Sequence, residues 1–466
     1  MGEGEKVCQN AEIFVNVILI CIDTLRADHL SCYGYPRLTS PHIDRLASQG
    51  TLFTQASAES IPTHPGHTSM FAGRDVFAHQ VLCQGSPKVE LDPGIPTLAE
   101  RLRKRGYRTG AADNLQRWFD RGFDHYEKYA WDKDPTQPWR KGEAVNGAAL
   151  PLLGRLAKGK RPFFMFVHYW DPHTPYLAPP PFTRMFYSRL RDERAKSHKT
   201  MAPVWKRYEA LKHYFAQWLG GFGAVTDADY VDALYDAEIA YGDANLAEFL
   251  ARVDELGIAG ETLVVLTSDH GEVLHEHEGC WYDHHGLYEA NLRIPLILRC
   301  PGRIPAGLRL DGLVRTRDIA PTILNFLGMG KEAEGMDGTS LLPLIRGRSH
   351  RGSSGELYLT ECTWMKKRGW KTRDWKLIVA MEDPFGLPPV ELYDLRRDPH
   401  EQQNLAKRRP EVVSRLRKRM DAYVARRLRE TGKPDPHSYQ EITLRQIGKM
   451  ATAVPDNQKL DKPTDR

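Results

Sequence analysis

Cysteine is scarce in this chain and never paired at short range. Cys8, Cys21, Cys32, Cys83, Cys280, Cys300 and Cys362 are scattered through 466 residues, odd in number and without a CxxC step. That excludes a disulfide-stapled framework and a thiolate metal knuckle; thiols in a reducing cytoplasm are the expectation. Long apolar runs are missing as well, since no segment nears the ~18 consecutive apolar residues a membrane span needs. The opening "MGEGEKVCQNAEIF" is polar and acidic, without the basic and apolar regions of a secretory signal. A one-sided charge is also lacking. A net charge of +5 over this length gives no electrostatic footprint for nucleic acid. Internal repeats are absent. What remains, with 41% hydrophobic residues, is enough material for a full core shared between a large and a small lobe.

The patterning is α/β. "NVILICID" and "TLVVLTSDHG" are apolar runs of the kind buried in parallel sheets, and "RPFFMFVHYW" and "RIPLILRC" join them. Pro41 opens a predicted helix that stops at Gly50, and "IPTLAERLRKRG" is a second, ending at Gly106. Apolar residues recur at helical spacing from Asp229 to Gly257, and "DIAPTILNFLG" is another helix. Such alternation predicts a large, mostly parallel sheet flanked by helices. Residues 1–350 are assigned to this body, with a basic, aromatic insert over 182–222. Short strands in "ELYLTEC", "WKLIVA" and "ELYDL", followed by a basic helix, predict a small antiparallel sheet domain over 351–432. Residues 433–466 read as a polar arm.

Candidate chemistry collects at strand ends, where ligands bind in open α/β sheets. Asp23 closes the first strand, Asp269 and His270 close "TLVVLTSDHG", and Thr63 sits in "IPTHPGHTSMFAGR", a turn leading into a helix. Two carboxylates, one imidazole and a hydroxyl suit a divalent cation beside an activated alcohol. Asp171 and His173 lie in "DPHTP", where His173 is expected to touch the substrate or leaving group, and His284 and His285 lie in "YDHHGLYE". Adjacent residues of an extended segment face opposite ways, so one of His284 and His285 is expected to face inward. It would protonate a leaving group or join a second ion with Asp171 and His173. His64 and His67 flank Thr63 closely enough to meet substrate oxygens.

"NVILICIDTLRADHLSCYGY", "SPHIDRLASQGTLFTQASA", "GYRTGAAD", "WDPHTPY", "SDHGE", "HHGLYEANLRIPLI" and "ELYDLRRDPHEQQNLA" together resemble the sulfatases of the alkaline phosphatase superfamily. The resemblance is nearly collinear from about residue 15 to about residue 410. It implies an alkaline-phosphatase-like α/β domain, a smaller C-terminal sheet domain, a divalent metal, and a nucleophile in the slot of Thr63. Sulfatases place there a Cys or Ser that is oxidised to formylglycine, followed by proline and arginine. Here Pro65 matches the proline but His67 stands for the arginine. The same oxidation of threonine would give a ketone, which cannot do the aldehyde's chemistry. The family's Lys-x-His pair after the GYxT strand is replaced by "AADNLQ", and its lysine before "YE" by His284 or His285.

Branches of the superfamily that use an unmodified threonine act on phosphate esters. The resemblance therefore implies a metal-dependent hydrolase of a phosphodiester or phosphonate monoester, with Thr63 as nucleophile. A sulfatase lacking formylglycine is the alternative, and a catalytically silent sulfatase-like binding protein is the other. The expected cofactor is one divalent ion, Mn²⁺ or Zn²⁺ ahead of Ca²⁺ or Mg²⁺, with two ions left open. The expected partner is a small anionic ester, without nucleic acid or membrane, and a homo-oligomer is left open.

Overall fold

The computed structural model describes residues 15–84, 89–207, 209–348 and 355–442. Cys8, the acidic opening segment and the arm beyond residue 442 lie outside the described residues. The principal sheet has eight strands in the order Leu308–Leu310, Thr51–Phe53, Leu296–Arg299, Thr262–Thr267, Asn16–Ile22, Phe163–Tyr169, Arg108–Ala112 and His125–Glu127. From Thr262–Thr267 to His125–Glu127 every pairing is parallel. Leu296–Arg299 runs antiparallel to both of its neighbours.

The central strand shows why the apolar runs are continuous. Val17, Leu19 and Cys21 enter one core, with Met70, Phe71, Leu98 and Leu102. Ile18, Ile20 and Ile22 enter the other, with Leu152, Leu153, Leu246 and Phe249. Helices therefore cover both faces, and alternate side chains of one strand serve two cores. The helices over Pro41–Ser48, Leu98–Lys104, Ala228–Glu255 and Ile319–Phe326 fall where the spacing predicts them. Thr97 and Glu100 form a capping box at the second of these. Within the 182–222 insert, Trp205, Phe215 and Trp218 are buried in the second core.

Register decides where the strands deliver their polar ends. Ile22 lies opposite Tyr169 and Cys21 opposite Thr267. The residues that follow, Asp23, Asp171 and Asp269, therefore emerge on the same edge.

A second sheet orders Val390–Asp394, Trp375–Glu382, Lys366–Thr372 and Glu356–Cys362 as antiparallel neighbours. Its fifth strand is Ser60–Ile61, paired parallel through Thr360↔Ser60 and Glu361↔Ile61. The small sheet is thus not built from residues 351–432 alone, and two residues are too few to show a period in sequence. Lys367, Lys371 and Lys376 are buried in this sheet, held by Glu391 at 3.0 Å, Glu289 at 2.8 Å and Glu401 at 2.6 Å respectively. The basic helix Pro410–Thr431 buries Val412, Leu416, Met420 and Val424, spaced one turn apart. The start of the polar arm is packed rather than loose. His437 Nε2 lies 2.7 Å from Thr360 Oγ1, and the Leu82 N–H donates to Gln440 Oε1 at 2.9 Å. No helix among the described residues is long and apolar enough to cross a membrane.

Candidate active site

Thr63 is the first residue of the helix Thr63–Ala72, which Pro62 precedes as N-cap without a side-chain cap. The hydroxyl of Thr63 does not fold back on the helix. It lies 3.3 Å from His270 Nε2. The His270 Nδ1–H donates to Gly271 O at 2.9 Å, which leaves the Nε2 lone pair for a hydroxyl proton or a cation. Asp23, Asp269 and His270 offer ligand atoms within 4.8 Å of one another, all buried. Among the described residues this is the one grouping of His, Cys, Asp and Glu with metal-ligand spacing.

Both oxygens of Asp23 and Oδ2 of Asp269 are buried without a hydrogen-bond partner. Unpaired buried carboxylates are costly unless a cation compensates them. Hard oxygens with one imidazole form the donor set that a divalent ion requires, so the residues present fit the metal. Thr24, next to Asp23, is unusual in two ways. Its φ of 56° is the left-handed region, strained for a β-branched residue, and its hydroxyl is buried without a partner. The Thr24 N–H points to Asp269 Oδ1 at 3.4 Å, which ties the two strand ends together.

Two glycines allow the close approach. A Cβ on Gly66 would sit 3.2 Å from Asp269 O, a tight contact that would push the helix slightly away from the Asp269 turn. A Cβ on Gly271 would sit 2.0 Å from Ala290 O, against backbone that cannot yield cheaply. Gly271→Ala is expected to cost about 1–3 kcal/mol, seen as a lower urea midpoint together with reduced activity.

The remaining predicted residues divide. His284 is in the site: its ring stacks on His270 at 4.7 Å and meets His173 at 5.3 Å. Burial opposes charge on His284, but Asp283 and Glu272 outweigh it and raise its pKa to about 9. His285 faces the other way. It packs against Phe385 at 5.6 Å and Trp364 at 6.3 Å, and its Nε2–H donates to Gly279 O at 3.1 Å. The choice between the two histidines falls to His284, because adjacent residues of an extended loop diverge.

His67 is fully buried, donates from Nδ1 to Thr63 O at 3.0 Å and lies 3.5 Å from Asp269 Oδ2. His64 packs between Trp118 and Phe119, and burial lowers its pKa to about 3. Asp171 is not beside the other ligands: Lys141 Nζ lies 3.3 Å from it and 3.0 Å from Glu238. Lys141 also donates to His173 O at 2.8 Å, so Asp171 anchors the loop that carries His173.

Sequence reasoning passed over three residues. Thr24 looked like an ordinary neighbour of Asp23. His168 and Asp113 end adjacent strands, and the His168 Nδ1–H donates to Asp113 Oδ1 at 2.8 Å while Nε2 lies 3.5 Å from Asp23 Oδ2. Burial would lower the His168 pKa, but the two carboxylates of Asp113 and Asp23 outweigh it and raise it to about 10. The available signal was a polar residue in each of two otherwise apolar strand ends.

Comparison with known proteins agrees with this geometry. The sulfatase family model matches residues 15–329, and that of the N-sulphoglucosamine sulphohydrolase C-terminal region matches residues 276–426. The chain is 26% identical over 479 residues to the multifunctional alkaline phosphatase superfamily protein PehA of Trinickia caryophylli, covering 84% of this chain and 91% of PehA. It is 26% identical over 462 residues to arylsulfatase K of Bos taurus, covering 88% and 81%. The crystal structure of the phosphonate monoester hydrolase of Agrobacterium radiobacter superposes with a TM-score of 0.71 at 22% identity, covering 89% of this chain and 96% of that one. With two thirds of its length matched and the metal-type cluster at the sheet edge, the chain belongs to the sulfatase family of the alkaline phosphatase superfamily, hydrolases that act on ester bonds.

Proposed function

We propose that this protein hydrolyses a phosphodiester or phosphonate monoester with Thr63 as the nucleophile. The observation that carries the reading is the buried Thr63 hydroxyl, 3.3 Å from His270 Nε2 and beside carboxylates that lack partners. A single divalent ion held by Asp23, Asp269 and His270, with Mn²⁺ or Zn²⁺ favoured by the imidazole, would lower the hydroxyl pKa and offset charge on the ester.

Thr63 Oγ1 attacks phosphorus in line, a P–O bond to Thr63 forms, and the bond to the leaving oxygen breaks. The leaving oxygen takes its proton from His284, the imidazole that faces His270 and His173 across the site. His284, now neutral, then removes a proton from the water that hydrolyses the phospho-threonine; Thr63, whose own hydroxyl proton goes to solvent before its attack, leaves as the alkoxide, so each proton released is matched by one taken up. Amide groups at the start of the Thr63–Ala72 helix offer donors to the transferred group. His67 holds the Thr63 carbonyl and so fixes the helix start.

The sulfate-ester reading draws on relatives such as arylsulfatase K of Bos taurus. Parallel assays on bis-p-nitrophenyl phosphate, p-nitrophenyl phenylphosphonate and p-nitrophenyl sulfate with added metal separate the two. Faster turnover of the phosphorus esters is expected; faster sulfate release would reverse the assignment, and no turnover of any of them would favour a binding protein. His284→Ala is expected to lose about 10²–10⁴ in rate on esters with poor leaving groups; on p-nitrophenyl esters the first release of p-nitrophenol should be nearly spared while hydrolysis of the phospho-enzyme slows. His285→Ala instead lowers the melting temperature, because that ring fills the contact with Trp364 and Phe385.

A further inference from the structure

We propose that His168, aimed by Asp113, positions the Asp23 carboxylate for the metal; the inference rests on the metal-dependent reading above. Asp23 leaves a strand end with both oxygens buried and unpartnered, so its own hydrogen bonds do not fix the plane of its carboxylate. The imidazole outside the metal-type cluster that reaches it is His168, with Nε2 3.5 Å from Oδ2. That separation is longer than a hydrogen bond, so the contact steers the carboxylate without occupying its lone pairs.

The orientation of His168 is in turn imposed from several sides. Its Nδ1–H donates to Asp113 Oδ1 at 2.8 Å, and the Tyr129 hydroxyl donates to its carbonyl at 2.6 Å. Its ring packs against His67 at 4.7 Å and Trp170 at 5.1 Å. Asp113 is held just as firmly. The Leu115 N–H donates to its Oδ2 at 3.1 Å, the Tyr126 hydroxyl bonds the same oxygen, and its own N–H donates to Glu127 O at 3.1 Å. The edge strand His125–Glu127 thus reaches Asp23 through two side chains, and the first of them lies in "AADNLQ", where this chain departs from the Lys-x-His pattern. Groups that orient metal ligands from behind typically contribute about 10–100-fold to metal affinity.

The test replaces His168 by two amides that reproduce different ring nitrogens. His168→Asn keeps a group at the Nδ1 position, bonded to Asp113, but does not reach Asp23; His168→Gln reaches the Nε2 position. Mn²⁺, and separately Zn²⁺, is titrated calorimetrically into each metal-free protein, and the melting temperature in chelator checks that each is folded. His168→Asn is expected to weaken binding by about 10–100-fold, with His168→Gln intermediate or close to wild type. Asp113→Leu, which keeps volume but removes the acceptor, is expected to follow His168→Asn and serves if either amide variant does not fold. Binding by His168→Asn or Asp113→Leu indistinguishable from wild type overturns the inference, as does a His168→Gln protein as weak as His168→Asn. Wild-type protein that binds neither ion defeats the metal-dependent reading itself, which is a separate outcome.

Discussion

Thr63→Ala is expected to lower the turnover of its ester substrate by about 10⁴-fold or more while leaving the fold intact. The alternative role of a threonine before a proline is to cap the helix, and loss of a cap costs about 1 kcal/mol. Thr63 is not in that position: it lies inside the first turn, and the cap residue Pro62 makes no side-chain bond. Removing the hydroxyl therefore deletes the attacking oxygen and one long contact to His270, with no helix end left unsatisfied. The measurement is kcat beside the thermal midpoint. A large fall in kcat with an unchanged midpoint is the expected pair, and Thr63→Ser, which restores the alcohol, should recover activity. Full turnover by the alanine variant would leave the proposed reaction without a nucleophile.

Metal removal is the second large effect. Exhaustive chelation should abolish turnover and lower the melting temperature, and readdition of Mn²⁺ or Zn²⁺ should restore both. The physical reason is the three unpartnered carboxylate oxygens of Asp23 and Asp269, buried together with only the imidazoles of His67, His168 and His270 near them and, among the described residues, no lysine or arginine paired with either. Binding to the folded state alone stabilises by RT ln(1 + [L]/Kd), about 2.7 kcal/mol at a hundredfold excess over Kd. Asp269→Asn should abolish the metal response, because one of the two negative ligands becomes a neutral amide. Undiminished turnover in protein shown by elemental analysis to be metal-free would overturn the metal assignment.

The fold was legible where a strand serves two cores. "NVILICI" and "TLVVLT" could only be buried on both faces, and their ends mark the ligand edge. The ligand set followed, since Asp23, Asp269 and His270 each come one or a few residues past such an end. The rest depended on partners far away in sequence. Lys367, Lys371 and Lys376 look solvent-facing in the sequence, and only Glu289, Glu391 and Glu401 explain their burial. His168 appeared as one more residue of an aromatic strand, because Asp113 is 55 positions away. Asp171 was read as a ligand of a possible second ion; its charged partner is Lys141, which it shares in space with Glu238, a grouping that no sequence pattern displays. Which of His284 and His285 faces inward is a matter of loop direction, which an adjacent pair in sequence does not reveal.

The two-residue strand Ser60–Ile61 has a mechanical corollary. Its partner Glu361 accepts the Gly286 N–H at 2.8 Å, one residue beyond His285, while its backbone pairs with Ile61 just ahead of Thr63. One residue of the late sheet thus clamps the segments that carry Thr63 and His284, the proposed attacking alcohol and proton donor. The late sheet is a gauge block setting the spacing between them, so natural or engineered changes far from the reacting atoms can retune the rate through Glu361 without touching any group that meets the ester.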